Sequence, residues 1–363
     1  MKTLLESIFN KFQVVSKYES YQEINSGHIN DTFLINTIGN PNYILQKINR
    51  NVFKDAANLV INKVLVSDFL QSRYKHLTQQ EISRKVLCFV KTKDNTFFYE
   101  DENSNIWNLS VFIENSITFL KTPNSTIAFE AGKITGEFLK ETTDFDTSKL
   151  KEILPDFHSV TKRYKQFKES KKKTLKKKID QALNQINFVE KHIVEMLQID
   201  KAIDEGRIKL RLTHSDTKIS NILFSENKAL CLIDTDTVMK GVIHFDYGDA
   251  IRTICNTTDE DEKDLNLVSF NIEYFKNYTK GFFQQFKDVT EEEKKYLSVS
   301  IKMMPYIMGL RFLTDFFNDN VYYKTSYENH NLDRAKNQFT YFDSIDKKYS
   351  EIKAIIEGEL PSK

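Results

Sequence analysis

Hydrophobic and polar positions alternate in short runs over the first hundred residues, which indicates strands separated by turns. Gly39, Asn40 and Pro41 form a turn signal between the first two runs. One helix interrupts this pattern over about 55–71, where Leu59, Val60, Lys63, Val64 and Phe69 recur at roughly helical spacing. The pattern predicts a small sheet that carries one long helix. The predicted strands are 29–37, 43–49, 85–92, 96–99 and 107–114.

The period changes to that of helices after about Asn115. Ile127, Ala131, Ile134 and Phe138 form a buried stripe, and Asn124 or Ser125 can cap its helix. Most of the chain is then helical, apart from short apolar strands between residues 209 and 249. The outline is α+β, with a β-rich N-terminal lobe over 1–113, a connector near 112–117 and a larger helical lobe over 114–363.

Composition excludes several classes of protein. The chain has 363 residues, of which 40% are hydrophobic and 28% charged, as in a globular protein. Lys and Arg number 52 against 51 Asp and Glu, so we expect no nucleic-acid partner held by bulk positive charge. The one dense charge block, 168–180, is interpreted as a solvated helix face, with a docking patch for an acidic partner as the alternative.

Cys88, Cys231 and Cys255 are widely spaced and form no CxxC pair, which predicts free thiols in a reducing compartment. The first fifteen residues lack the apolar core of a signal peptide, because Glu6 and Lys11 interrupt it. No apolar run reaches the roughly 18 residues of a membrane span. We therefore expect a cytoplasmic protein without a membrane partner.

The segment 213–252 carries the candidate chemistry. His214, Asp216, Lys218 and Asn221 follow one another as HxDxKxxN, and Asp234 ends an apolar strand thirteen residues later. Phosphoryl transfer from ATP needs a carboxylate to accept the hydroxyl proton, oxygen ligands for Mg²⁺ and a cation for the phosphoryl group. All of these residue types occur here in the order of a kinase catalytic loop and its metal-binding strand.

The sequence resembles the aminoglycoside phosphotransferase and choline kinase-like family, and within it the bacterial N-acetylhexosamine 1-kinases. Four blocks carry the resemblance, which covers nearly the whole chain. The catalytic block is common to many small-molecule kinases, whereas the other three are typical of the sugar kinases. The blocks are SGHINDTFLI (26–35), YILQKINRNVF (43–53), the motifs of 214–252 and GLRFLTDFFNDNVYYKTSYENHNLDRA (309–335). The resemblance implies a two-lobed protein-kinase-like fold.

The resemblance also implies roles for the catalytic block. Asp216 is the catalytic base, Lys218 reaches the phosphates, and Asn221 and Asp234 bind Mg²⁺. His214, Asp246 and Asp249 support the catalytic loop, the two aspartates by bonding its backbone and capping a helix. Asp236 and Thr235 lie close enough to Asp234 to touch metal or sugar.

The acceptor pocket implied by the resemblance uses both lobes. Its expected residues are Gly27, His28, Asp216, Thr235, Arg311 and Tyr322. The arginine offers a fork of hydrogen-bond donors and the tyrosine a flat face for a sugar ring. Alternatives remain open: Arg311 instead pairs with Asp315 one turn away, or Tyr322 packs in the core.

The nucleotide side departs from the general kinase pattern. Gly27 stands alone, without a GxGxxG loop, and the strand that presents a lysine to the phosphates reads YILQKIN. Lys47 is the expected ligand, but strand alternation lets only one of Gln46 and Lys47 face the cleft. Adenine is expected at the connector, at Phe112, Ile113 and Asn115.

The sequence thus predicts an enzyme that uses ATP and Mg²⁺ to phosphorylate the anomeric hydroxyl of GlcNAc or GalNAc, in amino-sugar salvage, as a monomer or homodimer. One alternative keeps the fold and changes the acceptor to choline, ethanolamine, homoserine, an aminoglycoside or another sugar. Arg311 counts against the cationic acceptors. The other alternative is an inactive nucleotide-binding module.

Overall fold

A five-stranded antiparallel sheet forms the N-terminal lobe, with strand order β1-β2-β3-β5-β4. We analysed a computed structural model, in which residues 1–24 and 29–361 are described, so the predicted Gly27 and His28 lie outside the described residues. The strands are β1 (Lys17–Glu23), β2 (Asp31–Ile38), β3 (Tyr43–Lys47), β4 (Tyr99–Glu100) and β5 (Ile106–Val111).

The two faces of this sheet bury different sets of side chains. Tyr43 and Leu45 of β3 pack with Phe9 of helix α1 (Lys2–Phe9) on one face. The opposite face packs against helix α2 (Ala56–Arg73), whose Leu59 contributes to a separate apolar cluster there. Since alternate residues of a strand point to opposite faces, Gln46 points towards α2 and Lys47 points away from it.

The predicted strand over 85–92 is wrong: Lys85 ends a helix, and 86–92 form no regular strand. Residues Gln79–Lys85 form helix α3, which begins with a capping box between Thr78 and Glu81. The following residues are extended and bond to β5 only at Cys88 and Val90. The predicted 96–99 strand shrinks to β4. Neither α1 nor β1 is predicted by the sequence pattern. Strand β1 is an edge strand of mainly polar residues, so it has no apolar alternation.

The C-terminal lobe is mainly helical, and its helices enclose two apolar cores. The predicted cap is confirmed, because the Asn124 side chain accepts a hydrogen bond from the backbone N–H of Ile127. The helices are α4 (Ser125–Glu141), α5 (Val160–Lys173), α6 (Lys176–Gln181), α7 (Leu183–Met196), α8 (Gln198–Asp204), α9 (Ile243–Ile254), α10 (Ile272–Gln285), α11 (Glu291–Lys294), α12 (Leu297–Phe317), α13 (His330–Lys347) and α14 (Tyr349–Glu359).

The strand pieces predicted between 209 and 249 form two small antiparallel pairs. Strand β6 (Arg211–Thr213) pairs with β9 (Met239–Gly241), and β7 (Ile222–Ser225) pairs with β8 (Lys228–Leu232). The first pair brings the residues after β6 close to those before β9. Its geometry therefore assembles the HxDxKxxN loop and the Asp234 segment into one site.

The charge block over 168–180 spans α5 and α6, and its lysines are mostly exposed, as a solvated face requires. Lys178 is the exception, because its buried Nζ lies 2.6 Å from the Phe316 carbonyl oxygen and 2.7 Å from Asp319 Oδ1. All three cysteines are free. Within the described ranges, no helix has the length and apolar character that a membrane crossing needs.

Candidate active site

Asp246 holds the backbone of the catalytic loop. It lies in the first turn of α9, and its two carboxylate oxygens accept the backbone N–H groups of His214 at 2.9 Å and Ser215 at 2.7 Å. Ser215 has φ +63°, a left-handed conformation that non-glycine residues rarely adopt. These two hydrogen bonds hold the strained turn that presents Asp216.

His214 braces the same loop from the other side. Its ring is fully buried, and Nε2 lies 3.0 Å from the carbonyl oxygen of Ile233, one residue before Asp234. Burial lowers the pKa of His214 to about 4, so the ring is neutral and donates from Nε2. His214 therefore ties the catalytic loop to the Asp234 segment, as a bracing residue does.

Asp216 sits between a cation and an amide. Lys218 Nζ and Asn221 Nδ2 both donate to its Oδ2 at 2.8 Å. Burial acts to raise the pKa of Asp216, but the ammonium group of Lys218 outweighs it and holds the pKa below its usual value. The carboxylate is thus ionised at neutral pH and able to accept a proton.

Asp234 follows β8 in a left-handed conformation, with φ +61°. Burial and then the neighbouring carboxylate of Asp236 raise the pKa of Asp234 to about 7, while Lys218 and Lys63 act to lower it. The carboxylate of Asp216 adds to the repulsion. A cation placed here relieves the crowding of like charges.

The donor set fits Mg²⁺. Asn221 donates from its Nδ2 to Asp216, which leaves its Oδ1 available to a metal ion. In the part of the chain that the structure describes, no three His, Cys, Asp or Glu side chains form a complete metal site. Mg²⁺ in ATP-using enzymes is usually held by one or two side chains together with phosphate oxygens and water. Asn221 and Asp234 would supply those side chains.

Asp249 does not do what the resemblance implies. Its Oδ1 lies 3.0 Å from Arg252 Nε in the same helix, and it neither bonds the loop backbone nor caps α9, whose N-cap is Val242. Helical spacing explains the difference, because Asp249 and Arg252 are three residues apart on one face. Of the two predicted supports, only Asp246 bonds the catalytic loop.

Arg311, one of the predicted acceptor residues, lies among aromatic rings. Its guanidinium lies 5.4 Å from the ring centroid of Phe157, 5.8 Å from that of Tyr322 and 5.5 Å from that of Tyr323. Burial disfavours the charged form of Arg311. The phenol groups of Tyr323 and Tyr322 favour the charged form and outweigh burial, so the pKa of Arg311 is raised. The group therefore stays cationic inside an aromatic cage.

The alternative pairing of Arg311 with Asp315 is wrong. The Asp315 carboxylate instead accepts the backbone N–H groups of Tyr322 at 2.9 Å and Tyr323 at 3.0 Å, and so shapes the loop after α12. Core packing of Tyr322 is also excluded, since 54% of the residue is exposed while the Tyr323 hydroxyl is buried. This arrangement leaves the guanidinium without a carboxylate partner among the residues described.

A histidine links this cage to the catalytic loop. His158 Nε2 lies 2.8 Å from the carbonyl oxygen of Ser215, the residue before Asp216. Burial, together with the positive charges of Arg311 and Arg163, lowers the pKa of His158 to about 3. The buried ring of His158 thus lies within electrostatic reach of both Arg311 and Asp216.

Thr235 takes a different position from the predicted one. It lines a small cavity of about 40 Å³ between α2 and α4, together with Val66, Phe138 and Leu232. Its buried hydroxyl has no hydrogen-bond partner among the described residues. Arg311 is not among the residues that line this cavity, so the structure does not join Thr235 to the aromatic cage.

The open choice between Gln46 and Lys47 is decided by the strand. Gln46 Oε1 lies 2.8 Å from Lys63 Nζ, on the face towards α2. Lys47 lies on the other face, where its Nζ is 3.5 Å from Asp31 Oδ2 and 6.0 Å from the Trp107 ring centroid. The prediction that Lys47 binds the nucleotide is therefore not supported by its position.

The connector runs from β5 towards the C-terminal lobe. The Phe112 N–H donates to the Asn42 carbonyl oxygen at 2.9 Å, and the Ile113 carbonyl oxygen accepts the Ser116 hydroxyl at 2.6 Å. Asn115 has φ +52° and turns the chain. Two of the backbone groups expected to contact adenine are thus already hydrogen-bonded, and adenine contact at Phe112, Ile113 and Asn115 stays a prediction.

Sequence reasoning missed the polar group that joins the two lobes at this site. Lys63 Nζ lies 2.6 Å from Asp236 Oδ1, and both side chains are only 4% exposed. Asn30, just before β2, donates to the other carboxylate oxygen of Asp236 and accepts the Asn49 N–H at 2.8 Å. The only available signal was a lysine within the apolar stripe of the predicted α2 helix.

Comparison with known proteins identifies the part of the chain that carries this site. Residues 125–278 match the model of the phosphotransferase enzyme family. The match spans α4 to α10 and includes the whole catalytic segment, whereas Arg311 and Tyr322 lie beyond it.

Several solved structures share the fold over nearly their whole length. A microcompartment-associated aminopropanol kinase is 12% identical, with a TM-score of 0.64 over 96% of this chain and 98% of that one. A spectinomycin phosphotransferase bound to ADP and spectinomycin is 11% identical, with a TM-score of 0.62 over 97% and 99%. A choline kinase from Cryptosporidium parvum is 15% identical, with a TM-score of 0.56 over 98% of both chains. The predicted two-lobed kinase-like α+β fold is confirmed.

Proposed function

We propose that this protein is a small-molecule kinase that uses ATP and Mg²⁺ to phosphorylate the anomeric hydroxyl of an N-acetylhexosamine, GlcNAc or GalNAc. The observation that carries the kinase part is the constellation of Asp216, Lys218, Asn221 and Asp234 on the loops of a phosphotransferase-type fold. Function has to be argued from such a site, since this fold serves many acceptors.

The proposed step moves one phosphoryl group and one proton. The acceptor oxygen attacks the γ-phosphorus of ATP, its proton passes to the Asp216 carboxylate, and the bond from the γ-phosphorus to the bridging oxygen breaks to release ADP. An anomeric hydroxyl is more acidic than other sugar hydroxyls, so an ordinary carboxylate suffices as the base. Mg²⁺, when bound by Asn221 and Asp234, supplies charge neutralisation for the phosphates.

Lys218 has two roles in this scheme. In the free protein its ammonium holds Asp216 ionised, and the Asp216 carboxylate in turn raises the pKa of Lys218 above its usual value against the effect of burial. An ammonium fixed this close to the base also lies near the group that the base activates. It is therefore placed to attract the transferring phosphoryl group.

The charge of the acceptor side favours a neutral, hydroxyl-rich acceptor. Besides Arg311, the cage neighbourhood contains Arg163, whose Nη2 donates to the Phe157 carbonyl oxygen at 2.8 Å. Burial, and then the positive charge of Arg311, lowers the pKa of Arg163 to about 10. Two guanidinium groups repel choline or an aminoglycoside, whereas they can donate to hydroxyl and acetamido oxygens.

The test is turnover on a matched panel. We would measure ADP release with Mg·ATP and GlcNAc, GalNAc, glucose, galactose, homoserine, choline or an aminoglycoside, and locate the phosphate on any product by NMR. Turnover limited to N-acetylhexosamines with phosphate at carbon 1 supports the proposal. Turnover on choline or an aminoglycoside alone contradicts the acceptor assignment and leaves the kinase chemistry. No ADP release with any acceptor, together with ADP binding, favours the inactive nucleotide-binding module.

A further inference from the structure

The small lobe presents a single buried cation to the catalytic segment, and it comes from a helix. Within the described part of that lobe, Lys63 of α2 is the only basic side chain that is buried. In protein kinases the corresponding lysine lies on the third strand and pairs with a glutamate of the helix. Here the strand β3 carries the neutral Gln46 and the helix α2 carries Lys63. The lysine therefore comes from the helix instead of from the strand.

We infer that Lys63 is the phosphate-binding lysine of this enzyme, delivered by α2 instead of by β3. The inference rests on the proposed function, because it concerns how the same site holds the phosphates of ATP.

Lys63 has one N–H donor left for a ligand after its two hydrogen bonds within the protein. An ammonium group has three N–H donors, and two are spent on Gln46 Oε1 at 2.8 Å and Asp236 Oδ1 at 2.6 Å. The Phe89 ring, with its centroid 5.6 Å from Nζ, covers the ammonium from another direction. A phosphate oxygen is a suitable acceptor for the third N–H, since charge-assisted hydrogen bonds are the strongest available to it.

The position of Lys63 relative to the acidic residues also fits this role. Three carboxylates converge here: Asp216 is bonded to Lys218, Asp236 is bonded to Lys63, and Asp234 lies within the electrostatic reach of both lysines. Both ammonium groups therefore lie close enough to the proposed metal ligand to act on its charge. A polyphosphate that shares a metal with Asp234 would lie within reach of both.

A purely structural role for the Lys63–Asp236 ion pair would explain its position less well than a phosphate-binding role does. A buried ion pair loses much of its Coulomb attraction to desolvation, and apolar residues of similar volume are often at least as stable. Lys63 nevertheless occupies an apolar stripe of α2, where Leu59 and Val60 pack in the core. The surrounding contacts fix its head group: Gln46 belongs to β3, and Asp236 is fixed in turn by Asn30. Such preorganisation is what a phosphate site requires.

The experiment compares binding of Mg·ADP and of adenosine by calorimetry in four proteins. These are the wild type, Lys63→Gln, the exchange variant Gln46→Lys/Lys63→Gln, and Lys47→Gln as a control on the opposite face of β3. Lys63→Gln should weaken Mg·ADP binding about ten- to a hundredfold, because one charge-assisted hydrogen bond is lost. Its affinity for adenosine should stay within about twofold of the wild type, because adenosine has no phosphate.

The exchange variant separates a phosphate contact from a structural role. It returns the lysine to the strand, so it should recover at least part of the Mg·ADP affinity that Lys63→Gln loses. Unfolding temperatures of all four proteins report whether the site is intact. If Lys63→Gln binds Mg·ADP as the wild type does, or loses adenosine affinity equally, the inference about Lys63 is wrong. If the wild type binds neither ligand, the proposed function falls and the inference with it.

Discussion

At the scale of single residues, the site depends on how burial and neighbouring charges set each protonation state. Asp216 is ionised because Lys218 outweighs the effect of burial, whereas Asp234 is crowded by Asp236 and Asp216. His214 is neutral because its ring has no access to solvent. One short segment therefore contains a candidate base, a candidate metal ligand and an uncharged brace, although two of the three have the same side chain.

We expect Asp216→Asn to abolish turnover and leave the fold intact. The amide cannot accept the hydroxyl proton, and loss of a positioned general base typically lowers rates by about a hundredfold or more. Steady-state kinetics with Mg·ATP and the best acceptor of the panel would measure this. Asp204→Asn, an exposed carboxylate at the end of α8, is the matched control and should keep full activity. A near-normal rate for Asp216→Asn would rule out the base assignment.

The buried ring of His244 should make the stability of the fold depend on pH. Its buried ring lies with Nε2 2.9 Å from the Glu293 carbonyl oxygen, and burial lowers its pKa to about 4. Between the unfolded value near 6.5 and this folded value, the unfolded chain binds a proton that the folded chain does not. The stability contributed by neutral His244 is thus complete above about pH 6.5 and is lost as pH falls.

Relative to the wild type, His244→Gln should therefore lose less stability on acidification. The difference in slope is about 1.4 kcal/mol per pH unit between about pH 6.5 and 4. Urea unfolding at several pH values would measure it, with His76→Gln, an exposed histidine, as the control. Parallel stability curves for the wild type and His244→Gln would show that the ring is not held neutral.

At the scale of elements, α4 and α10 are packed unusually closely because glycines face the partner backbone. A Cβ on Gly132 would collide with the Tyr278 carbonyl oxygen, and one on Gly281 with the Phe129 carbonyl oxygen. These two helices lie behind the catalytic segment, since α4 also packs on β8 and α10 on α9. Their close approach therefore determines the position of β8, and with it the position of Asp234, which follows β8.

We expect Gly281→Ala to destabilise the protein by about 1–3 kcal/mol, because the backbones would have to separate. Gly358→Ala is the matched control: it is also helical, no atom lies within 4 Å of its new Cβ, and alanine should slightly favour the helix. Denaturant unfolding of both variants would measure the contrast. Equal stabilities would mean that the α4–α10 contact can relax at little cost.

At the scale of the whole molecule, a few polar groups join the two lobes. Glu137 of α4 accepts the Tyr74 hydroxyl at 2.9 Å, and its Oε1 lies 2.7 Å from Lys85 Nζ. Tyr74 follows α2 and Lys85 ends α3, so one carboxylate of the large lobe fixes both α2 and α3. The Lys63–Asp236 pair is a second bond between α2 and the large lobe.

Glu137→Ala should loosen α2 and α3 without unfolding the large lobe. The buried Tyr74 hydroxyl would lose its acceptor, at a cost of about 1–3 kcal/mol. Hydrogen exchange should therefore speed up in α2 and α3 and stay unchanged in α12 and α13. Glu130→Ala in the same helix is the control, because the one ion pair of Glu130 among the described residues is with Lys133 one turn away. Uniformly faster exchange throughout the molecule would contradict this local role.

The sequence by itself determined what depends on neighbours along the chain. The Asn124 cap, the buried stripe of α4 and the HxDxKxxN spacing all lie within a few residues, so local pattern and chemistry were enough. The periodicities also indicated a β-rich lobe followed by a helical one, whereas the kinase-like fold was implied by the family resemblance that the sequence blocks carry. The irregular 85–92 segment was misread, because its apolar residues pack on β5 without forming a regular ladder.

Only the tertiary structure decided which distant groups meet. Lys63 and Asp236 are 173 residues apart, and Asp315 turned out to hold the backbone of Tyr322 and Tyr323 instead of pairing with Arg311. Strand alternation allowed either Gln46 or Lys47 to face the cleft, and only the packing of β3 between α1 and α2 selected Gln46. The physical reason is the same in each case: burial and charge pairing are settled between elements, and sequence spacing within one element does not specify them.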